Sequence, residues 1–247
     1  MALHHEQSTM CEQQHHLIDN PVASIITLQL PPISEGCSRL FLCRHGQTDY
    51  NYQRKLQGRG VNIQLNNIGL HQAKYLAIAM KDVPLSGIYS SSLKRAFETA
   101  DEVAQFHPQI KVQTFSEVEE MNFGELEGHS IETHEDEIHT MYMRWKKGEL
   151  DASWPGGESP MDVVHRGVKK ITEVVSNTPL KGQVLMVAHG RFNKIILAHM
   201  LHSGLTDMTE IHQDNTCVNV IDFDHKTQTY RAMVLNNINH LPLPPSV

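Results

Sequence analysis

A chain of 247 residues with 40% hydrophobic content can bury a sizeable core, and one α/β domain is the expectation. Its 21 Lys+Arg against 28 Asp+Glu give a formal charge of -7, which argues against nucleic acid or an anionic membrane as partner, while screening over roughly 8 Å still permits a local anion site. Four cysteines without CxxC spacing fit a reducing compartment, and the absence of Lys and Arg from residues 1–38 removes the flank of a signal or transit peptide, so a cytoplasmic or nuclear setting is expected.

Residues 1–37 are polar and without a sustained period, which predicts a flexible arm with one docked strand near Ile25 to Leu30. The pairs His4-His5 and His15-His16 lack the spacing of a metal site and read as solvated. Apolar runs then predict strands at about 39–43, 86–90, 183–188, 217–223 and 229–235. Three helical stripes lie between them: Leu70, Ala73, Leu76, Ala77 and Met80; Leu93, Phe97, Ala100 and Ala104; and Met161, Val164, Val168, Ile171 and Val175. This alternation implies a three-layer α/β fold, a mostly parallel central sheet with helices on both faces, over residues 38–240. Residues 125–157 interrupt it and read as a helical insertion over one end of the sheet, and 241–247 as an extended tail.

Chemistry concentrates at strand ends. "LFLCRHG" delivers Arg44 and His45, "VLMVAHG" delivers His189, and "YSSSLKRAF" leads into a helix whose first turn carries Lys94 and Arg95. Ligands of open α/β sheets bind at the carboxyl ends of strands, and helix N-termini favour anions. The segment "HSIETHEDEIHTM" fails as a zinc site, because His134 and His139 are five residues apart and one helix face does not aim both at one ion. It reads as a polar helix face.

Together "RHGQTDYN", "LQGRGVNIQLNNIGLHQA", "YSSSLKRAFETA", "EEMNFGELEG", "PGGES" and "AHG" resemble, in order, the motifs of the histidine phosphatase superfamily, in the branch that holds cofactor-dependent phosphoglycerate mutases and fructose-2,6-bisphosphatase domains. The resemblance spans about residues 38–240 and implies a phosphoglycerate-mutase-like fold. It implies His45 as nucleophile, Arg44, Arg95 and His189 around the phosphoryl group, and Glu120 as proton donor. Asn51, Gln57 and Gly58 fall at substrate-binding positions, and Arg191, where family members often place a small residue, is a further candidate. Arg191 and Asn193, with residues 125–157, are expected to set substrate choice.

These roles make physical sense. A neutral imidazole attacks phosphorus without a separate base, and two arginine forks supply the charge that metals supply elsewhere, so no metal or cofactor is expected. The departing alkoxide needs a proton from an acid held neutral beside the phosphate. Glu119 reads as a solvated neighbour of Glu120, Glu158 as a helix-start carboxylate, and Cys43 as core. The expected activity is metal-independent hydrolysis of a small phosphorylated metabolite through phosphohistidine. A mutase is the alternative, disfavoured because only 36 residues separate Glu120 from Gly157, where the mutases of the resemblance carry a longer insertion. A noncatalytic phospholigand-binding module is less favoured, since no chemical group is missing. Oligomeric state is not legible.

Overall fold

Along Leu40-Phe41-Leu42-Cys43 every residue is buried, which a strand achieves only when both faces of its sheet are covered. A computed structural model, describing residues 30–201 and 204–242, supplies both covers. The strands are β1 (Cys37–Arg44), β2 (Leu85–Ser91), β3 (Gln113–Phe115), β4 (Gln183–Ala188), β5 (Val218–Asp224) and β6 (Thr229–Asn237). They form one sheet in the order β3-β2-β4-β1-β5-β6. β1 pairs parallel with β4, and β2 parallel with both β4 and β3. β5 is antiparallel to β1 and β6. The sheet is thus mostly parallel, with an antiparallel hairpin along one side. The three-residue β3 was missed from the sequence because it carries no apolar run.

The helices are α1 (Asp49–Tyr52), α2 (Asn67–Met80), α3 (Lys94–Ala104), α4 (Glu135–Lys146), α5 (Pro160–Asn177) and α6 (Gly190–Met200). Period-two alternation divides the strand side chains between two cores. Phe41, Cys43, Leu185, Val187, Val218 and Val220 pack with α2 and α3. Leu40, Leu42, Val184, Met186, Ile221 and Phe223 pack on the other face with α4, α5 and α6. Each fully buried side chain of this size contributes about 1.5–3 kcal/mol. Cys43 is core, as expected.

Two helical stripes sit differently from their sequence reading. α3 buries Arg95, Ala96, Thr99, Ala100 and Val103, while Phe97 is 39% exposed. The helix is rotated because Arg95 is turned inward. α5 buries Val163, Val164, Gly167, Ile171, Val174 and Val175, leaving Met161 and Val168 at the margin. In α2 the expected Leu70 is exposed, whereas Ala73, Leu76, Ala77 and Met80 are buried.

α5 begins with a capping box, in which Ser159 accepts from the Asp162 N–H and Asp162 from that of Ser159, with Pro160 opening the helix. Ser159, not Glu158, is the helix-start residue. The docked part of the arm is Leu30 to Gly36: Leu30 packs on the α2–α3 core and the Pro31 carbonyl accepts from Arg39 at 2.9 Å. The rest of the expected docked strand, the paired histidines and most of the tail lie outside the described residues. Among the described residues no helix is long and apolar enough to cross a membrane, and no cluster of three metal-ligating side chains occurs. His129 and His134 meet edge to face at 4.9 Å between ring centroids, and His139 is exposed on α4.

Candidate active site

The parallel pairing of β1 with β4 sets Arg44 opposite Ala188, so the next residues, His45 and His189, emerge side by side. Their ring centroids are 5.2 Å apart, and both residues are buried. The antiparallel β5 starts at the same end, so residues 213–217 wall the site: the Asn215 amide donates to the His45 carbonyl at 3.1 Å and the Gln213 carbonyl accepts from Arg44 Nη1 at 2.6 Å.

His45 Nδ1 lies 2.6 Å from the Gly46 carbonyl. A carbonyl only accepts, so the neutral ring carries its hydrogen on Nδ1 and its lone pair on Nε2. Burial, then the Arg95 and Arg44 charges, hold the imidazole well below its ordinary pKa, against a smaller opposite pull from the Gly46 carbonyl. The His45 ring is therefore neutral at neutral pH. The tight turn after it needs glycine: a Cβ on Gly46 would lie 2.6 Å from the Gly69 carbonyl oxygen. That contact seats the loop on the start of α2.

Arg95 is fully buried, and its guanidinium meets only main-chain carbonyls, Val61 at 2.6 Å and Gly58 at 3.2 Å. Among the described residues its Nε, like that of Arg44, has no acceptor. Burial lowers the Arg95 pKa to about 10, opposed by Glu120 and Glu127, so it stays charged at neutral pH. The Arg44 pKa is lowered from the same first cause. His189 is buried, neither ring nitrogen has a partner among the described residues, and burial followed by the Arg95 charge hold its pKa well down. Two cations and two imidazoles thus converge with no carboxylate among the described residues in salt-bridge contact, an arrangement suited to a phosphoryl dianion. One charge pair at 4 Å is worth about 4 kcal/mol at an effective dielectric near 20, before desolvation.

His189 is also the N-cap of α6 and makes no side-chain cap. The carboxyl group that meets that helix start is Glu120's. Its Oε1 accepts from the Met121 and Phe192 N–H groups at 2.9 and 2.7 Å, and its Oε2 from the Arg191 N–H at 3.0 Å. Oε1 has two donors and Oε2 one, so Oε2 alone keeps a lone pair for a proton.

The weaker sequence candidates divide. Gln57 is buried, its Oε1 accepts from the Thr48 hydroxyl at 3.0 Å, and its amide nitrogen has no protein partner. Asn51 closes the capping box of α1, accepting from the Thr48 N–H at 3.1 Å and from Asn215 at 3.4 Å. Gly58 gives its carbonyl to Arg95, and a Cβ there would strike the Glu127 carboxylate at 1.9 Å, so it is a close-packing position. Asn193 is buried and donates to the Gln213 side chain at 3.0 Å, behind the loop that holds Arg44. It supports that loop instead of lining a substrate path. Lys94 is exposed.

Several residues of the site were not found from the sequence. Arg166 donates to the carbonyls of Glu117, Glu119 and Glu120 at 2.8–2.9 Å, and its fork pairs with Glu158. It clamps the acid-bearing loop onto α5. Glu158 also accepts from the Asn122 N–H at 2.9 Å and from Arg59 at 3.2 Å. Glu119 is not a solvated neighbour: it pairs with Arg59 at 2.8 Å and accepts from the Ser92 hydroxyl. Burial pushes the Glu158 pKa up, but the Arg166 fork, with the Asn122 N–H and the Arg59 charge, outweighs it and leaves the pKa lowered.

The family model of the histidine phosphatase superfamily (branch 1) matches residues 40–236. A putative phosphoserine phosphatase 2 of Hydrogenobacter thermophilus is 30% identical over 207 residues, 82% of this chain and 97% of that protein. A probable phosphoglycerate mutase of Proteus mirabilis is 26% identical over 210 residues, 82% of this chain and 94% of its own. The structure of a mycobacterial glucosyl-3-phosphoglycerate phosphatase superposes with a TM-score of 0.70 at 26% identity, covering 81% of this chain and 99% of that one. With its motifs at the strand ends where the site is built, the chain belongs to branch 1 of the histidine phosphatase superfamily.

Proposed function

We propose that the protein hydrolyses phosphate monoesters of small metabolites through a phosphohistidine on His45, in a cytoplasmic setting. His45 Nε2 forms a bond to phosphorus as the ester P–O bond breaks, and the departing oxygen takes a proton from Glu120 Oε2. Water then attacks the phosphohistidine, gives a proton back to Glu120, and the P–N bond breaks to release inorganic phosphate. Arg44, Arg95 and His189 surround the equatorial oxygens, where charge lies in phosphoryl transfer. The observation that carries this reading is His45 with Nδ1 turned to the Gly46 carbonyl, which leaves Nε2 as the acceptor nitrogen, beside the buried Arg95 and the half-buried Arg44, neither of which pairs with a carboxylate among the described residues.

A mutase shares every one of these groups, and it differs in how well it keeps water from the phosphohistidine. Here the segment between Glu120 and Gly157 holds one twelve-residue helix, α4, and short turns. That modest cover favours water as the acceptor. The acid role is tested by Glu120→Gln, which preserves shape but cannot donate a carboxylic proton. Phosphorylation by alkyl phosphates should slow by about 10²–10⁴, and phosphorylation by nitrophenyl phosphate, whose leaving group is stable as an anion, far less. Equal slowing in the burst phase with both substrates would reduce Glu120 to a positional role.

A further inference from the structure

The turn that precedes β5 is held by side-chain amides that the proposed chemistry does not use. Gln213 and Asn219, both buried, face one another as a reciprocal pair: Gln213 Nε2 donates to Asn219 Oδ1 at 2.9 Å, and Asn219 Nδ2 donates to Gln213 Oε1 at 3.0 Å. Their other positions are filled as well. Gln213 Nε2 also reaches the His212 carbonyl at 2.7 Å, and its Oε1 accepts from Asn193 Nδ2 at 3.0 Å. Asn219 Nδ2 also reaches the Leu42 carbonyl at 2.9 Å, and its Oδ1 accepts from the Asn236 N–H at 3.0 Å. An amide oxygen only accepts and its nitrogen only donates, so flipping either side chain would set donor against donor and acceptor against acceptor. The network therefore fixes one orientation.

Packing alone does not call for it. On β5, Val218 and Val220 lie in one core and Ile221 and Phe223 in the other, so Asn219 interrupts an apolar strand, and a buried amide costs free energy unless it is bonded. What the amides join is β1 two residues before Arg44, α6 one turn after His189, and the loop that carries the Gln213 carbonyl. That carbonyl accepts from Arg44 Nη1 at 2.6 Å. The same guanidinium passes over Gly190, where an added Cβ would lie 3.2 Å from Nε and 3.4 Å from Cζ, and its Nε has no acceptor among the described residues. A planar fork is oriented by whichever edge is already bonded. We propose that Gln213 is a positioning residue: its side chain, locked to Asn219 and Asn193, aims its own main-chain carbonyl at Arg44 and so presents the free Nε edge to the phosphoryl group. This rests on the reading of Arg44 as a phosphoryl ligand. Unlike Arg166, Gln213 makes its bonds away from the acid loop, so its loss should not depend on the leaving group.

The test is a double-mutant cycle between Gln213→Met, which keeps the length of the side chain without its amide, and Arg44→Met, read as kcat/KM for nitrophenyl phosphate and for glycerol 3-phosphate. With Arg44 in place, Gln213→Met should lower kcat/KM by about 10–10², the cost of an ångström-scale misplacement, and by the same factor for both esters. In the Arg44→Met background, already slow, adding Gln213→Met should change kcat/KM by no more than about twofold, because the group it positions is gone. Equal losses in the two backgrounds would make Gln213 a support of the fold alone and overturn the proposal, as would undiminished kcat/KM in the folded Gln213→Met protein. If Gln213→Met does not fold, Gln213→Asn, which keeps an amide but withdraws it by one methylene, carries the same cycle with the same outcomes. Arg44→Met with undiminished kcat/KM would instead remove Arg44 as a phosphoryl ligand, and an unmodified protein that hydrolyses neither ester would remove the phosphatase reading; both results are distinct from a failure of Gln213 alone.

Discussion

Arg39 and Arg95 are both buried, 3% and 0% exposed, at opposite ends of the sheet. Arg39, near the start of β1, forms a two-pronged pair with Asp222 at 2.7 and 3.0 Å, so its charge is neutralised inside the fold. Arg95, at the carboxyl end of β2, has carbonyls alone. The same side chain is neutralised within the fold where a carboxylate answers it, and where none does its charge is left for a ligand under the proposed function. Among the described residues that uncompensated charge stands beside Arg44 and His45.

Exchanging each arginine for an apolar residue should therefore have opposite consequences. Arg95→Met should lower the turnover number by about 10²–10³, as loss of one fixed transition-state donor does, while unfolding in urea shifts by no more than about 1 kcal/mol. It removes a buried unpaired charge as well as two hydrogen bonds. Arg39→Leu leaves the buried Asp222 with only the exposed Arg231 guanidinium, 4.0 Å away, and should cost toward the lower end of about 3–5 kcal/mol of stability while the folded fraction keeps its turnover within a few-fold. A stability loss for Arg95→Met as large as for Arg39→Leu would break the contrast.

Arg166 is an intermediate case, paired with Glu158 yet also holding three carbonyls of the acid loop. Arg166→Lys keeps the charge and loses the fork. It should slow alkyl phosphates by about 10–10², the cost of an ångström-scale misplacement, with a smaller effect on nitrophenyl phosphate. Equal slowing of both substrates would mean that Arg166 supports only the fold.

The strand-end histidines were legible as candidates through the ordered set of motifs, since one His-Gly after an apolar run reads by itself as a core or turn histidine. The sheet was legible because its strands are continuous apolar runs. Arg95 was legible only through its motif: helical periodicity put Phe97 inward and would have left Arg95 in solvent. Arg166 was not legible at all. Its partners are main-chain carbonyls 46–49 positions away, and a sequence pattern does not record where carbonyls point. Glu119 and Glu158 failed likewise, because Arg59, which joins them, comes from a loop brought near by folding. Arg191 was noticed, but its link to the acid runs through its own N–H, a contact any residue but proline makes.

The smallest expected effect concerns pH. Because burial and the two arginines keep His45 well below its ordinary pKa, lowering pH through about 6.5 should leave the nucleophile neutral. The acid limb of kcat/KM, after correction for the substrate's own ionisation near about 6, should lie well below that point. Stability moves with the same sign. The unfolded chain binds protons that buried neutral histidines do not, so stability falls as pH drops below about 6.5, and for His240, held down to about 4 by burial, the loss runs across that whole window. An acid limb of kcat/KM at 6.5 would show that His45 is solvated.

The central claim is that His45 Nε2 carries the phosphoryl group. Rapid quenching of the protein with a phosphate monoester in excess EDTA, followed by peptide mapping under alkaline conditions that preserve phosphohistidine, tests it directly. The account predicts one acid-labile phosphoryl group on the peptide containing Arg44-His45-Gly46, lost in His45→Ala and formed at the burst rate. A phosphoryl group on His189, or turnover with no labelled intermediate in a protein that also tolerates His45→Ala, would contradict it.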